Sequence, residues 1–439
     1  MASSANRFSR LAALRPSHST PTRPLTLREP SEEDTLARLL GAGVSRNRFG
    51  EHLTVRNWFY TPEFAAPDPT ALELLSRTGD PTLSRRTRQA LENPERWLFL
   101  DTETTGLAGG TGTYAFLIGL AWWDAGGLQV EQLFMRDFSE EHSVLCELAA
   151  RLADRPVLIT FNGKTFDWPL LESRFTMTRS IGVPQLAAHL DLLHPARALW
   201  KLRLGSVRLV ELERQVLDPV SLGWHREDDI TSAFIPQYYF DYLRGGPPEP
   251  LTGITRHNQM DLRGLAALSS KINALLSIDS SGQENIHALD LFGLSRFLQH
   301  RGEADRAHSA CAQALDLGLP SEFRPRARRE LAMMAKRKGH HFRAAELWHE
   351  IVADSQHGIY ACEQLAIYYE RRVKNYVRAV EFARLALFNL RRSRSNNRDP
   401  YITARYARLE GEFLKRIARL ESRMTPHAAE STGKVLPLI

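Results

Sequence analysis

Up to about residue 276 the chain alternates short apolar runs with amphipathic stretches; beyond that point only helical periodicity remains. Three apolar runs follow one another as strands: Trp97–Asp101, Tyr114–Trp123 and Leu128–Met135, the last two separated by the turn residues Asp124-Ala-Gly-Gly127. A helix is expected after Ser139, a suitable N-cap with Glu140 and Glu141 in its first turn. Next come a strand at Val157–Phe161, a helix opening at Asp167 and continuing through Leu170, Leu171 and Phe175, and a short strand at Ala188–Leu192. The stretch from Pro195 to Pro250 reads as an insertion broken at Gly245-Gly-Pro-Pro248, and a long helix then carries His257, Asp261, Leu262, Leu265, Leu268 and Ile272. Strands followed by alternating helix and strand specify an α/β domain. Ahead of it, a helix from Ser31 to Leu40 and breaks at Pro62, Pro67 and Pro69 suggest a mixed leader.

After Ser277 the pattern changes. Gly302-Glu-Ala-Asp-Arg-Ala307, Gly339-His-His-Phe-Arg-Ala344 and Lys374-Asn-Tyr-Val-Arg-Ala379 can be laid over one another. Their spacing is close to the roughly 34-residue tetratricopeptide (TPR) period. Ala314 and Ala386 recur as small residues further into the second helices, so an all-α, TPR-like solenoid is expected. The expected organisation is a basic disordered arm over 1–30, a leader over 31–95 packing on the next domain, an α/β domain over 96–276, helical repeats over 285–422 and a tail over 423–439.

Candidate chemistry is concentrated in three segments of the α/β domain. In Trp97-Leu-Phe-Leu-Asp-Thr-Glu-Thr-Thr-Gly106 an apolar strand ends in Asp101, with Glu103 two positions on. Side chains two apart on a strand share a face, so the two carboxylates repel and suit hard divalent cations, Mg²⁺ or Mn²⁺. Asp167 arrives after Phe161-Asn-Gly-Lys-Thr-Phe-Asp167, and His257 and Asp261 stack on one helical face. Asp101, Glu103, Asp167 and Asp261 together could hold two ions, one activating water and one stabilising the leaving 3′ oxygen, with His257 as a neutral general base. Thr104, Asn162 and Lys164 are candidate substrate contacts. Asp191 reads as structural, and Arg226-Glu-Asp-Asp-Ile230 as a solvated acidic loop.

These motifs resemble the DnaQ-like DEDD superfamily of 3′–5′ exonucleases. Asp101 to Gly106 is similar to its first motif, Asn162 to Asp167 to its second and His257 to Asp261 to its third. Within it the YprB-type branch is most similar, through Asp191-Leu-Leu-His-Pro-Ala-Arg-Ala-Leu-Trp200, Leu212-Glu-Arg214 and Ile235-Pro236, and the resemblance covers roughly 43–276. It implies a ribonuclease-H-like fold with a mixed five-stranded sheet and flanking helices, and exonuclease activity on DNA or RNA. In one respect the third motif is mixed: three residues separate His257 from Asp261, the spacing of the superfamily's tyrosine type rather than its histidine type.

Composition narrows the classes further. The formal net charge of +6 suits a polyanionic partner such as nucleic acid. Three widely spaced cysteines, Cys146, Cys311 and Cys362, support neither a disulfide framework nor a zinc site, and a cytoplasmic location is expected. No apolar run approaches the roughly 20 residues that span a bilayer, so no membrane partner is expected. The reading is a two-metal 3′–5′ exonuclease whose repeats could bind a protein partner. Its rivals are a ribonuclease-H-type endonuclease and a non-catalytic repeat adaptor on a nuclease-like fold.

Overall fold

The computed structural model describes residues 35–60, 74–75, 90, 93–106, 112–218, 220, 223–226, 229–277, 286–354, 358–395 and 400–424. The expected arm over 1–30 and most of the tail lie outside them. The chain divides into two compact units, Met1–Gln283 and Glu284–Ile439.

The first unit opens with helix α1 (Thr35–Leu40) and strands β1 (Gly43–Asn47) and β2 (Gly50–Phe59). Strands β3 (Trp97–Thr104), β4 (Ala115–Asp124) and β5 (Gly127–Phe134) follow, then helix α2 (Glu141–Asp154), strand β6 (Val157–Thr160), helix α3 (Asp167–Thr178) and strand β7 (Ala188–Asp191). Helices α4 (Leu193–Leu204), α5 (Leu209–Leu212) and α6 (Ile235–Leu243) fill the expected insertion, and α7 (Pro250–Ser277) closes the unit. The sheet order is β1-β2-β5-β4-β3-β6-β7, with β3–β6 and β6–β7 parallel and the other pairings antiparallel.

This is the expected ribonuclease-H-like class, with the strand count corrected from five to seven. The two extra strands come from the leader: β2 pairs along β5 from Leu53↔Phe134 to Phe59↔Leu128. They escaped the pattern because β2 buries polar side chains beside its apolar ones. Leu53 and Val55 are buried, but so are His52 and Thr54, which blurs the two-residue alternation. The N-cap expected at Ser139 also shifts. Asp137 caps a 3₁₀ turn at Phe138–Glu140 by accepting from the Ser139 amide, and α2 starts only at Glu141.

The second unit is all-helical. Helices α8 (Ala288–His300), α9 (Ala304–Asp316), α10 (Arg324–Arg337), α11 (His341–Asp354), α12 (Ile359–Tyr368), α13 (Tyr376–Ser395) and α14 (Pro400–Met424) each pack on the next in sequence. The three superposable segments begin at hairpin turns, where Gly302, Gly339 and Lys374 all have positive φ (83°, 83° and 59°). No helix among the described residues is long and apolar enough to cross a membrane.

Candidate active site

The core-forming half of β3, Trp97 to Leu100, is fully buried. Its parallel pairing with β6 stops at Phe99↔Ile159, while pairing with β4 continues through Asp101↔Gly119 and Glu103↔Leu117. The two carboxylates therefore sit where the central strand outruns its parallel neighbour, at the carboxyl ends of β3 and β6. In open α/β sheets that edge is where ligands bind.

Helix α7 approaches this edge closely because Gly119 has no side chain. A Cβ there would lie 2.1 Å from Asn258 Oδ1. The space it leaves lets Asn258 Nδ2 donate to Asp101 Oδ2 at 2.8 Å, while Gln132 Nε2 donates to Asn258 Oδ1 at 2.8 Å and fixes the amide. Asn258 was not among the expected site residues; its place beside His257 in the third segment was the available signal.

Asp167 is the first residue of α3, and Thr102 Oγ1 donates to its Oδ1 at 2.5 Å. The loop before it is organised by Asp191, which accepts from the backbone amides of Asn162 (2.7 Å), Leu193 (3.0 Å) and Lys164 (3.2 Å). Asn162 takes a left-handed conformation (φ 69°), and a Cβ on Gly163 would meet Thr160 at 2.5 Å. Of the expected substrate contacts, Lys164 is exposed, Asn162 is half-buried in this turn, and the Thr104 hydroxyl donates to the Gly106 carbonyl at 2.9 Å.

The third segment is bound to residues the sequence reading had set aside. His257 Nδ1 hydrogen-bonds Asp229 at 2.8 Å, and its Nε2 lies 3.3 Å from Ser232 Oγ and 3.6 Å from Asp261 Oδ2. Asp261 Oδ1 pairs with the guanidinium of Arg226, which also bonds Asp229 at 2.8 Å and Glu213 at 2.5 and 2.7 Å. The described part of the segment 226–230 is thus no solvated loop. Arg226 and Asp229 side chains are each 11% exposed and attach the insertion to α7. A run of charges in a loop reads as solvent-facing unless the buried partner, here Glu213, is known.

The carboxylates converge electrostatically. Burial, then the charges of Asp261, Glu103 and Asp167, push Asp101 well above the usual carboxylate range. Glu103 rises to about 8: burial lifts it, His257 opposes, and Asp261, Asp167 and Asp229 add to the rise. Burial also raises Asp167, against the hydrogen bond from Thr102. Burial by itself would lower His257, but the bond to Asp229 and the charges of Asp261 and Glu103 lift it to about 9. With these carboxylates unscreened their charges favour the protonated imidazole, and a dication on the same carboxylates would oppose that rise. The arrangement concentrates negative charge that a divalent cation would relieve, and its donors are the hard oxygens such an ion prefers. Among the described residues, no three His, Cys, Asp or Glu side chains stand close enough together to enclose an ion.

A family model of the RNase H superfamily, RNase_H_2, matches residues 98–273, which contain all four carboxylates and His257. A Bacillus subtilis (strain 168) protein described as uncharacterized protein YprB is 30% identical over 300 residues, 67% of this chain and 70% of that protein. The chain belongs to the RNase H superfamily. Members of this superfamily usually use divalent metals, and the α/β unit is a nuclease-like domain on that ground. The family B DNA polymerase from the hyperthermophilic archaeon Pyrobaculum calidifontis shares 15% identity over 56% of the chain, with a TM-score of 0.33. The aligned part spans 30% of that polymerase, too slight a likeness to bear on activity.

Proposed function

We propose that this RNase H superfamily protein is a metal-dependent nuclease of the DEDD type, removing nucleotides from the 3′ end of DNA or RNA. One observation carries the reading: β3, α3 and α7 meet at the carboxyl end of the central strand, where Asn258 of α7 bonds Asp101 and Thr102 of β3 bonds Asp167. Asp101, Glu103, Asp167 and Asp261 would hold two Mg²⁺ or Mn²⁺ ions, which supply water activation and stabilisation of the leaving oxygen. Asn258 and Thr102 orient two of the ligands through neutral donors. Asp229 is a positioning residue, since its bond to Nδ1 leaves Nε2 of His257 as the nitrogen that exchanges a proton with water. Asp191 shapes the loop from which Lys164 and Asn162 would reach a phosphate.

The helical unit, read as TPR-like repeats, would engage a protein partner, and the basic net charge suits the nucleic acid. The test is incubation of the full chain with 5′-labelled single-stranded DNA and RNA, in Mn²⁺ or in EDTA. A ladder shortening from the 3′ end with Mn²⁺ alone is expected. Discrete internal fragments would instead assign a ribonuclease-H-type endonuclease, and intact substrate in every arm would leave no nuclease.

A further inference from the structure

The four carboxylates are not held alike. Asp101 receives an amide and Asp167 a hydroxyl, both neutral donors. Asp261 instead meets a guanidinium: Oδ1 pairs with Arg226, while Oδ2 lies 3.6 Å from His257 Nε2. Arg226 is not a mobile surface side chain that happens to fall there. Glu213 grips its Nε and Nη2 at 2.5 and 2.7 Å from a position only 1% exposed. Glu213 in turn fits because residue 264 is glycine, since a Cβ there would lie 2.0 Å from Glu213 Oε1. A second anchor is Asp229, at 2.8 Å from Nη1.

We propose that Arg226 is a built-in counter-cation that competes with a divalent ion for Asp261. The site then takes one ion readily, and a second only when the guanidinium gives up Asp261. The inference rests on the metal-site reading above. The anchoring makes such an exchange feasible: on losing Asp261, Arg226 keeps Glu213 and Asp229, so neither it nor Glu213 becomes an unpaired buried charge. It also makes the competition unavoidable. A guanidinium that stays tethered to Glu213 would remain beside any dication on Asp261, and like charges at such range repel strongly where water is scarce. Arg226 would thus neutralise the third-segment carboxylate in the metal-free protein and set the order in which ions enter.

The experiment is a Mn²⁺ titration of the full chain, reading bound ion by electron paramagnetic resonance and so independent of turnover. Wild type is expected to bind one ion tightly and a second at least about tenfold more weakly. In Arg226→Gln the second ion should tighten by on the order of tenfold or more while the first changes little. Should that variant fail to fold because Glu213 is left alone, the neutral pair Glu213→Gln with Arg226→Gln is read instead, with the same expectation. Unchanged stoichiometry and affinities in the variant that folds would overturn the proposal. Asp101→Asn serves as the control for the site itself and should abolish tight binding. If wild type binds no Mn²⁺, or binds it equally well with Asp101→Asn, the metal-site reading fails and this inference fails with it.

Discussion

In the first unit the buried positions include Glu131, Asp191, Glu213, His257 and Asn258, whereas in the second alanine and leucine are the most frequent, with Ala307, Ala310, Ala314, Ala332, Ala344 and Ala383 among them. The contrast is between two uses of burial. In the sheet unit, polar groups removed from water find partners far along the chain, as Gln132 does with Asn258 and Arg226 with Glu213 and Asp261. Such networks cost desolvation and are weak evidence of added stability; what they do fix is geometry. In the helical unit, small residues let neighbouring helices approach, and the packing is mostly between elements adjacent in sequence. Glu370 is an exception there, 5% exposed and paired with Arg416 and Arg419 at 3.0 and 2.7 Å. The sheet unit buries charge in long-range networks, and the helical unit packs mainly through apolar contacts between neighbours in sequence.

The strongest way to break this comparison is to neutralise the site. Asp101→Asn combined with Glu103→Gln should lower nuclease turnover by on the order of 10³-fold or more, because both charge stabilisation and water activation are lost. The melting temperature in EDTA should be unchanged or higher, since two mutually repelling buried carboxylates are gone. A large drop in melting temperature would mean that these acids hold the fold rather than the chemistry.

Acid should separate the two units next. His52 is fully buried against Ser143, and burial, opposed by Glu131 and reinforced by Arg136, lowers its pKa to about 4. As pH falls below about 6.5 the unfolded chain takes up this proton while the folded one does not. The contribution of His52 to stability therefore declines until about pH 4, by roughly 3 kcal/mol. Urea titrations at pH 7 and 4.5 should show His52→Gln losing less stability on acidification than wild type, while His189, also lowered to about 4 by burial, and the raised Asp101 and Glu103 keep their own contributions in both proteins. Equal acid sensitivity in wild type and His52→Gln would show that the imidazole is protonated in place.

A smaller effect is expected at the close contact of α7 and β4. Gly119→Ala forces a methyl group into Asn258, at a cost of about 1–3 kcal/mol, and should loosen the amide from Asp101. Adding Asn258→Ala should restore part of the stability, but not the activity. If the two changes simply add in denaturation, the contact is not what sets the spacing.

The smallest effect should follow removal of the helical unit. A chain ending at residue 276 is proposed to fold and to cleave a short single-stranded oligonucleotide at close to the full-length rate, because none of the proposed site residues lies beyond it. Aggregation would show that the units depend on each other, and a folded but inactive fragment would assign substrate binding to the helices.

Local pattern was enough for the α/β class, the five strands β3 to β7 and the helical hairpin turns, because burial on one face imposes a period that a single sequence displays. It also placed Asp101 and Glu103 on one strand face and Asp167 at a helix start, since those positions follow from local geometry. Strands β1 and β2 stayed hidden because His52 and Thr54 are buried polar residues, and a polar letter in a strand reads as exposed unless its partner is known. Arg226, Asp229 and Glu213 were misread or unread for the same reason. Whether a charged side chain faces water or a buried opposite charge depends on chain segments 35 and 13 residues away, as in Arg226 with Asp261 and with Glu213. The charge state of His257 belongs to this second class as well. Its unperturbed pKa suggested a neutral base, and only the tertiary structure places Asp229, Asp261 and Glu103 around it to raise that pKa, because electrostatic energy depends on distance in space and not along the chain.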